Sequence, residues 1–173
     1  MSKNFSDLLS QVSKCSKKKL SVACAQDEAV LEAVEAARER GIADAILVGD
    51  EAKIREIGSS LHMDMGNYTI VNEPDVEQAA LTAVKLVHDG KADMYMKGFL
   101  ESKTFLKSVL NKEVGLRTGK PLSHVCVFEI PGIDRLLFFT DVAFMPYPTL
   151  EDKVQIIEYT VDVARACGVE CPK

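Results

Sequence analysis

No apolar run in this sequence approaches the roughly 20 residues that span a bilayer. The N-terminus, MSKNFSDLLSQVSKCSKKK, lacks the apolar core and small-residue cleavage site of a secretory signal. No membrane role is expected, and the expected location is the cytoplasm. Cysteine is sparse and odd in number: Cys15, Cys24, Cys126, Cys167 and Cys171. That excludes a disulfide scaffold and points to reduced thiols. Cys167 and Cys171 have no second cysteine pair or histidine cluster beside them, so no metal site is expected. Positive charge is in deficit. Lys+Arg 21 against Asp+Glu 26 leaves a net −5, with a pI of about 5.3. A surface built to neutralise many phosphates of a nucleic acid is thereby excluded, whereas a small anion held at one point is not. Walker, G-x-S-x-G, H-E-x-x-H and G-x-G-x-x-G motifs are all missing.

What is present is an ordinary globular balance, 47% hydrophobic and 27% charged, which excludes disorder and collagen-like repetition. A chain of 173 residues can bury roughly 70% of its unfolded surface and needs no staple. The first residues read as a short amphipathic helix ending in Lys17, Lys18 and Lys19, cations suited to a helix C-terminus. Strand and helix signals then alternate. Leu20 to Ala25 is an apolar, β-prone run. Asp27 can cap a helix carrying Val30, Leu31, Val34 and Ala37 at helical spacing, with Gly41 as its stop. Ala45 to Val48 is the next strand, and Asp50 can cap a helix to about Leu61. Tyr68 to Val71 is a third strand; Pro74 suits the first turn of a helix through Val87; Met94 to Met96 is a fourth strand. Alternation of this kind predicts an α/β fold with a parallel sheet flanked by helices.

Two segments echo one another: Gly41-Ile42-Ala43-Asp44 and Gly90-Lys91-Ala92-Asp93 each stop a helix and lead into an apolar strand. After residue 112 the grammar changes. Leu116 to Pro121 has linker composition. His124 to Ile130 and Arg135 to Thr140 then read as an antiparallel pair around Pro131-Gly132, and a helix runs from about Leu150 to Ala166. The expected division is therefore residues 1–119, a first α/β domain, and 120–173, a β-hairpin plus helix that begins a second domain. A hairpin and one helix are too little to enclose a core, so the second domain is expected to be incomplete.

Two places can carry chemistry. Lys97 and Gly98 end the fourth strand, and Ser102, Lys103 and Thr104 open the next helix. A strand, a glycine and a helix N-terminus can surround an anion with N–H groups, hydroxyls and ammonium charge. The alternative is ordinary capping by Ser102 with Lys97 exposed. In the second place, Thr140 and Asp141 end an apolar strand and a Pro-bounded loop leads to Thr149 and Asp152, nearly a capping box. Asp141 either orients a cation and accepts a proton or caps the loop backbone. His62 and His88 sit at helix ends, and His124 opens a strand.

The segments ACAQDEAVLEAVEAARERGIADAILVGD, MKG, LRTGKPLSHVCVFEIPG, FFTDVAF and PYPTLEDKVQIIEYTVDVARACGVECPK resemble the phosphate acetyl/butyryltransferase family over essentially the whole chain. Met145 departs from the asparagine common in that family. The resemblance implies a two-domain fold like isocitrate and isopropylmalate dehydrogenases, with the second domain incomplete here because members are longer, and a homodimer formed through that domain. It also implies an acyltransferase that exchanges an acyl group between coenzyme A and inorganic phosphate, butyryl in the branch it most resembles. Acyl-CoA and phosphate are then the substrates, coenzyme A is no tightly bound cofactor, and this chain alone is expected to be inactive. Lys97, Gly98, Ser102, Thr104, Arg117, Thr140 and Asp141 are the expected substrate-binding residues; no catalytic residue that activates the thiol is identified. The alternatives are a non-catalytic module binding coenzyme A or phosphate, and a metal- and nicotinamide-dependent dehydrogenase of the same fold, which would need clustered acidic ligands where the sequence offers only Asp141 and Asp152.

Overall fold

In the computed structural model, which describes residues 2–173, the N-terminal basic run does not end a helix. The first helix, α1 (Phe5–Val12), is capped by the Asn4 side chain and stops at Val12. Lys18 and Lys19 instead open the first strand, β1 (Lys18–Ala23). Their partners are the aspartates of the two echoed segments. Asp44 accepts from Lys17 Nζ at 3.2 Å, while Asp93 accepts from the Lys19 backbone N–H at 2.8 Å and from Lys18 Nζ at 3.4 Å. The echo therefore places a carboxylate on each side of the strand that carries the lysines. Gly41 and Gly90 supply the positive φ, +70° and +71°, that both helix ends require.

Chain contacts group residues 15–118 into one compact unit, and 2–14 with 119–173 into another. The first unit runs β1, α2 (Glu28–Glu39), β2 (Ala43–Gly49), α3 (Glu51–Ser60), β3 (Thr69–Asn72), α4 (Val76–His88), β4 (Met94–Lys97) and α5 (Ser102–Val109). All four strands are parallel, in the order β3-β2-β1-β4. This is the α/β sheet that the alternating pattern predicts. Asp27 and Asp50 cap α2 and α3 as expected. Pro74 does not open α4: Asp75 is the N-cap, and its side chain accepts from the Gln78 N–H. An aspartate that satisfies a free N–H wins the cap over a proline that merely lacks one.

Strand periodicity sends alternate residues to opposite faces. Val22, Ala45 and Leu47 pack with Leu31, Val34 and Ile54 of α2 and α3. Ala23, Ile46 and Val48 pack on the other face against Ala79, Ala80 and Ala83. Those three alanines make a low ridge on α4 that lets it lie close to the strands. A three-residue polar knot closes one edge of this unit. Arg38 donates two hydrogen bonds of 2.8 Å to Glu35, and the buried Tyr68 hydroxyl donates to the same carboxylate. Both interactions hold the Glu35 carboxyl at about 2, with the Arg38 contribution the larger and burial opposing it.

In the second unit, β5 (Cys126–Phe128) and β6 (Leu137–Phe139) pair antiparallel, and α6 (Leu150–Ala166) follows. The expected strands are longer than the paired residues. Gly132, at φ +87°, and the Ile133 N–H bond to Ile130 O make the turn. The unit gains α1 through the Phe5 N–H, which donates to Glu129 at 2.7 Å, and through Lys3, which pairs with Asp134 at 2.7 Å. Among the described residues, no helix is long and apolar enough to cross a membrane.

Candidate functional site

The chain builds β2 and β3 on one side of β1 and then crosses to place β4 on the other. β1 and β4 are therefore the strands at which the winding direction changes, and their carboxyl ends form the crevice where sheets of this kind hold ligands. β1 ends at Ala23 and runs on into Cys24 and Ala25, three small residues that are all fully buried. Lys97 finishes β4, and Gly98 follows it. A Cβ on Gly98 would stand 2.4 Å from both the Ala23 and Cys24 carbonyl oxygens. Glycine is required there because two backbones touch.

That contact changes the expected role of the glycine. Its N–H and that of Phe99 are already given to Ala23 O at 2.8 Å and Cys24 O at 2.9 Å, and the Leu100 N–H goes to Gly98 O. None of the three surrounds an anion. The free donors begin one step later. Ser102 is not the N-cap but the first helical residue of α5; Glu101 occupies the cap position, and no side chain caps the helix. The N–H groups of Ser102, Lys103 and Thr104 precede the first intrahelical bond, from Phe105 N–H to Glu101 O. α1 to α4 and α6 are each capped by a side chain. Tyr95 ties the body of α5 to β4 and α4. Its ring stacks on Phe105 at 4.8 Å, and its hydroxyl lies 2.9 Å from Ser108 Oγ and 3.2 Å from the Ala80 carbonyl.

Lys97 is exposed and its ammonium donates to Gly98 O at 3.3 Å, a weak bond that a ligand can replace. Phe99, beside it, is 71% exposed. The sequence reading missed two members of this crevice. Cys24 has a left-handed backbone, φ +54°. Its thiol is pushed up by burial and next by Asp75, with Lys97 opposing. Gln26 follows, its Oε1 buried with no hydrogen-bond partner among the described residues. The available signal was the run of small side chains, which is what two closely approaching strand ends need. Arg117 lies exposed in the segment after α5.

Thr140 and Asp141 belong to the other unit. Thr140 Oγ1 lies 3.3 Å from Ser123 Oγ across the hairpin. Asp141 does what the loop-capping alternative describes. One carboxylate oxygen accepts from the Ala143 and Phe144 N–H groups, both at 2.7 Å; the other accepts from the His124 N–H at 2.9 Å. Burial alone would raise this carboxyl, but the backbone donors outweigh it and hold it at about 2. Asp152 is likewise spent, in a capping box with Thr149. Both acids that a dehydrogenase reading needs are thus committed to backbone.

With this geometry in view, the sequence model of the phosphate acetyl/butaryl transferase family matches residues 4–80 and 73–173. The chain belongs to that family. It is 57% identical, over all 173 residues, to the phosphate butyryltransferase of Clostridium acetobutylicum, of which it covers 58%. It is 38% identical over 169 residues to the phosphate acetyltransferase of Thermotoga maritima, covering 57% of it. The chain thus spans little more than half the length of these family members. Among solved structures, a branched-chain phosphotransacylase from Enterococcus faecalis superposes with a TM-score of 0.72 at 26% identity, over 86% of this chain and 51% of that one. A phosphotransacetylase from Streptococcus pyogenes gives 0.80 at 18% identity, over 96% and 60%, a likeness of fold.

Proposed function

We propose that the crevice at β1 and β4 holds phosphate for an acyltransferase that exchanges an acyl group, butyryl foremost, between coenzyme A and inorganic phosphate. The observation that carries this reading is the uncapped N-terminus of α5 beside Lys97, within a chain of the phosphate acetyl/butaryl transferase family. In the exchange, a phosphate oxygen attacks the thioester carbon and coenzyme A leaves as a thiolate; in reverse, the thiolate attacks and phosphate leaves. Either way the transferring phosphate keeps negative charge on its outer oxygens. The Lys97 ammonium, the first-turn N–H groups of α5 and the Ser102 and Thr104 hydroxyls answer that charge. Arg117, exposed in the segment after α5, is a further cation assigned to the site. Asp141 contributes by holding the loop before α6, with Thr140 beside it.

The finer reading extends to the rest of such a protein. A second domain akin to that of isocitrate dehydrogenase closes the cleft, two copies pair through it, and coenzyme A visits as a substrate rather than staying bound. The enzyme works in the cytoplasm. The group that activates the thiol is supplied outside these 173 residues, so the chain alone turns over little or nothing.

The test is thiol release from butyryl-CoA by a polypeptide of the relatives' length. Release is expected with phosphate and not without it. Lys97→Ala should raise the phosphate KM about tenfold to a hundredfold, the equivalent of roughly 1.5–3 kcal/mol for a charge-assisted contact. An unchanged KM in a folded variant moves the phosphate site elsewhere, with Arg117 next in line. Phosphate-independent release would make the protein a thioesterase, and strong turnover by the 173 residues alone would show that the missing group is already present.

A further inference from the structure

Just before the N-terminus of α5 the chain displays a large apolar side chain for which a bare phosphate has no use. Phe99 is largely exposed, yet its backbone is held on both sides. Its N–H donates to Cys24 O at 2.9 Å, and the Leu100 N–H returns to Gly98 O at 3.0 Å, which puts Phe99 at the tip of a three-residue turn. The Leu100 side chain is the anchor, buried in the same apolar cluster as Cys24 and Ala79. The turn therefore fixes Phe99 and presents it to solvent. Little ordering is left to be done when a ligand covers a ring on a backbone already fixed. A second exposed apolar residue is near. Val76 begins α4, and its carbonyl lies 3.9 Å from Cys24 Sγ. Fully buried Cys24 thus meets the Phe99 turn through its carbonyl and the start of α4 through its thiol. Lys107 and Glu77, 3.4 Å apart, span from α5 to the first turn of α4.

We propose that Phe99, with Val76 near it, is the wall against which the acyl chain of the substrate lies, so that these side chains set the preference for butyryl over shorter acyl groups. The inference rests on the phosphate reading above, which places an acyl phosphate by its phosphate end. Phe99 stands two residues after Lys97 and three before Ser102. Charge and apolar surface then divide the ligand between them. The anionic end meets Lys97 and the first-turn N–H groups of α5, and the hydrocarbon end meets Phe99. The adenine of coenzyme A is many bonds from the reacting carbon, so the acyl chain is the apolar group that the phosphate end brings to this turn.

The experiment titrates the 173-residue chain with inorganic phosphate, acetyl phosphate, butyryl phosphate and coenzyme A. Nuclear magnetic resonance follows the amide signals of Ser102, Lys103 and Thr104 and the ring signals of Phe99. Inorganic phosphate and both acyl phosphates should move the amides. Butyryl phosphate should bind about fourfold to fifteenfold more tightly than acetyl phosphate, the range for two methylenes half to fully removed from water. Its methyl protons should contact the Phe99 ring. Phe99→Ala should bring the two acyl phosphates within about twofold of each other and leave inorganic phosphate unchanged, with Phe99→Leu in between. Equal affinities in the parent chain, or a preference retained in Phe99→Ala, overturns this inference alone as long as inorganic phosphate still moves the amides. Ring signals that respond to coenzyme A and not to butyryl phosphate overturn it as well, because the ring then serves another part of the substrate. Amides that ignore inorganic phosphate defeat the phosphate reading and this inference with it. If Phe99→Ala does not fold, Phe99→Leu and the methyl-to-ring contacts of the parent chain decide.

Discussion

In the parallel-sheet unit Val22, Leu47, Val48 and Val84 are fully buried, and helices cover both faces of the strands. In the hairpin unit Leu136, Ile156 and Ala164 are buried, while Val142, Tyr147, Leu150, Val154 and Ile157 are each more than half exposed. An open groove of about 530 Å³, with Leu137, Phe138, Ile157 and Val161 on its walls, runs between β6 and α6. The two units have similar apolar patterning and opposite outcomes. Four parallel strands with a helix on each face remove alternate residues from water twice over; two strands of three residues with α6 beside them do so once, and partially. Burial depends on how many layers the local elements can assemble, not on how apolar each element is.

The sharpest way to break this comparison is to delete apolar volume in each unit. Leu47→Ala, at a fully buried position, should lower stability by about 2–5 kcal/mol in urea unfolding. Ile157→Ala, at a position 58% exposed on α6, should change it by no more than about 0.5 kcal/mol. Similar losses from both would mean that the α6 face is covered in solution.

A smaller effect concerns what holds the hairpin unit together in place of a core. Asp141→Ala leaves four backbone N–H groups, those of His124, Ala143, Phe144 and, at 3.4 Å, Met145, without their acceptor and should cost roughly 1–3 kcal/mol. Its pH dependence has a definite sign. The folded carboxyl, at about 2, lies below the ordinary value near 4, so its contribution is complete above about pH 4 and is lost as pH falls through 2. Asp141→Asn keeps an acceptor but no charge. It should cost less than the alanine change and flatten the acid limb, followed through the His124 amide signal. Glu35 in the sheet unit is also held at about 2, so a shared acid limb persists in either variant.

The same contrast explains what could be read from the chain beforehand. Strands and caps of the sheet unit were legible because apolar period and cap chemistry agree at Asp27 and Asp50, and the echoed Gly-x-Ala-Asp segments announced two helix-to-strand turns. The basic run misled because lysines suit a helix end and an exposed strand start equally; what decides is the position of Asp44 and Asp93, far along the chain. The need for glycine at position 98 is not local, since only the pairing of β4 with β1 reveals the two carbonyls that exclude a Cβ. Strand order, and with it the crevice containing Cys24 and Gln26, is a long-range property that no local window carries. Thr149 and Asp152 were legible because a capping box is local, whereas Asp141 stayed ambiguous because its partner His124 lies across the hairpin.

The smallest expected effect separates the two helix starts on which the site assignment turns. At α6, the Thr149 hydroxyl accepts the Asp152 N–H, so that terminus is satisfied; at α5, Glu101 caps nothing. Two substitutions at Glu101 remove the same exposed charge and differ in one respect. Glu101→Gln should lower the phosphate KM by no more than about threefold, and less at high salt, because the carboxylate it removes is screened by water and ions. Glu101→Ser removes that charge and also installs a capping hydroxyl, which takes a first-turn N–H from the ligand while stabilising the helix by about 1 kcal/mol. Its phosphate KM should therefore rise above that of Glu101→Gln even as its thermal midpoint climbs. Equal KM values for the two variants would mean that charge alone acts at this position, and the N–H groups of α5 would lose their place in the phosphate site.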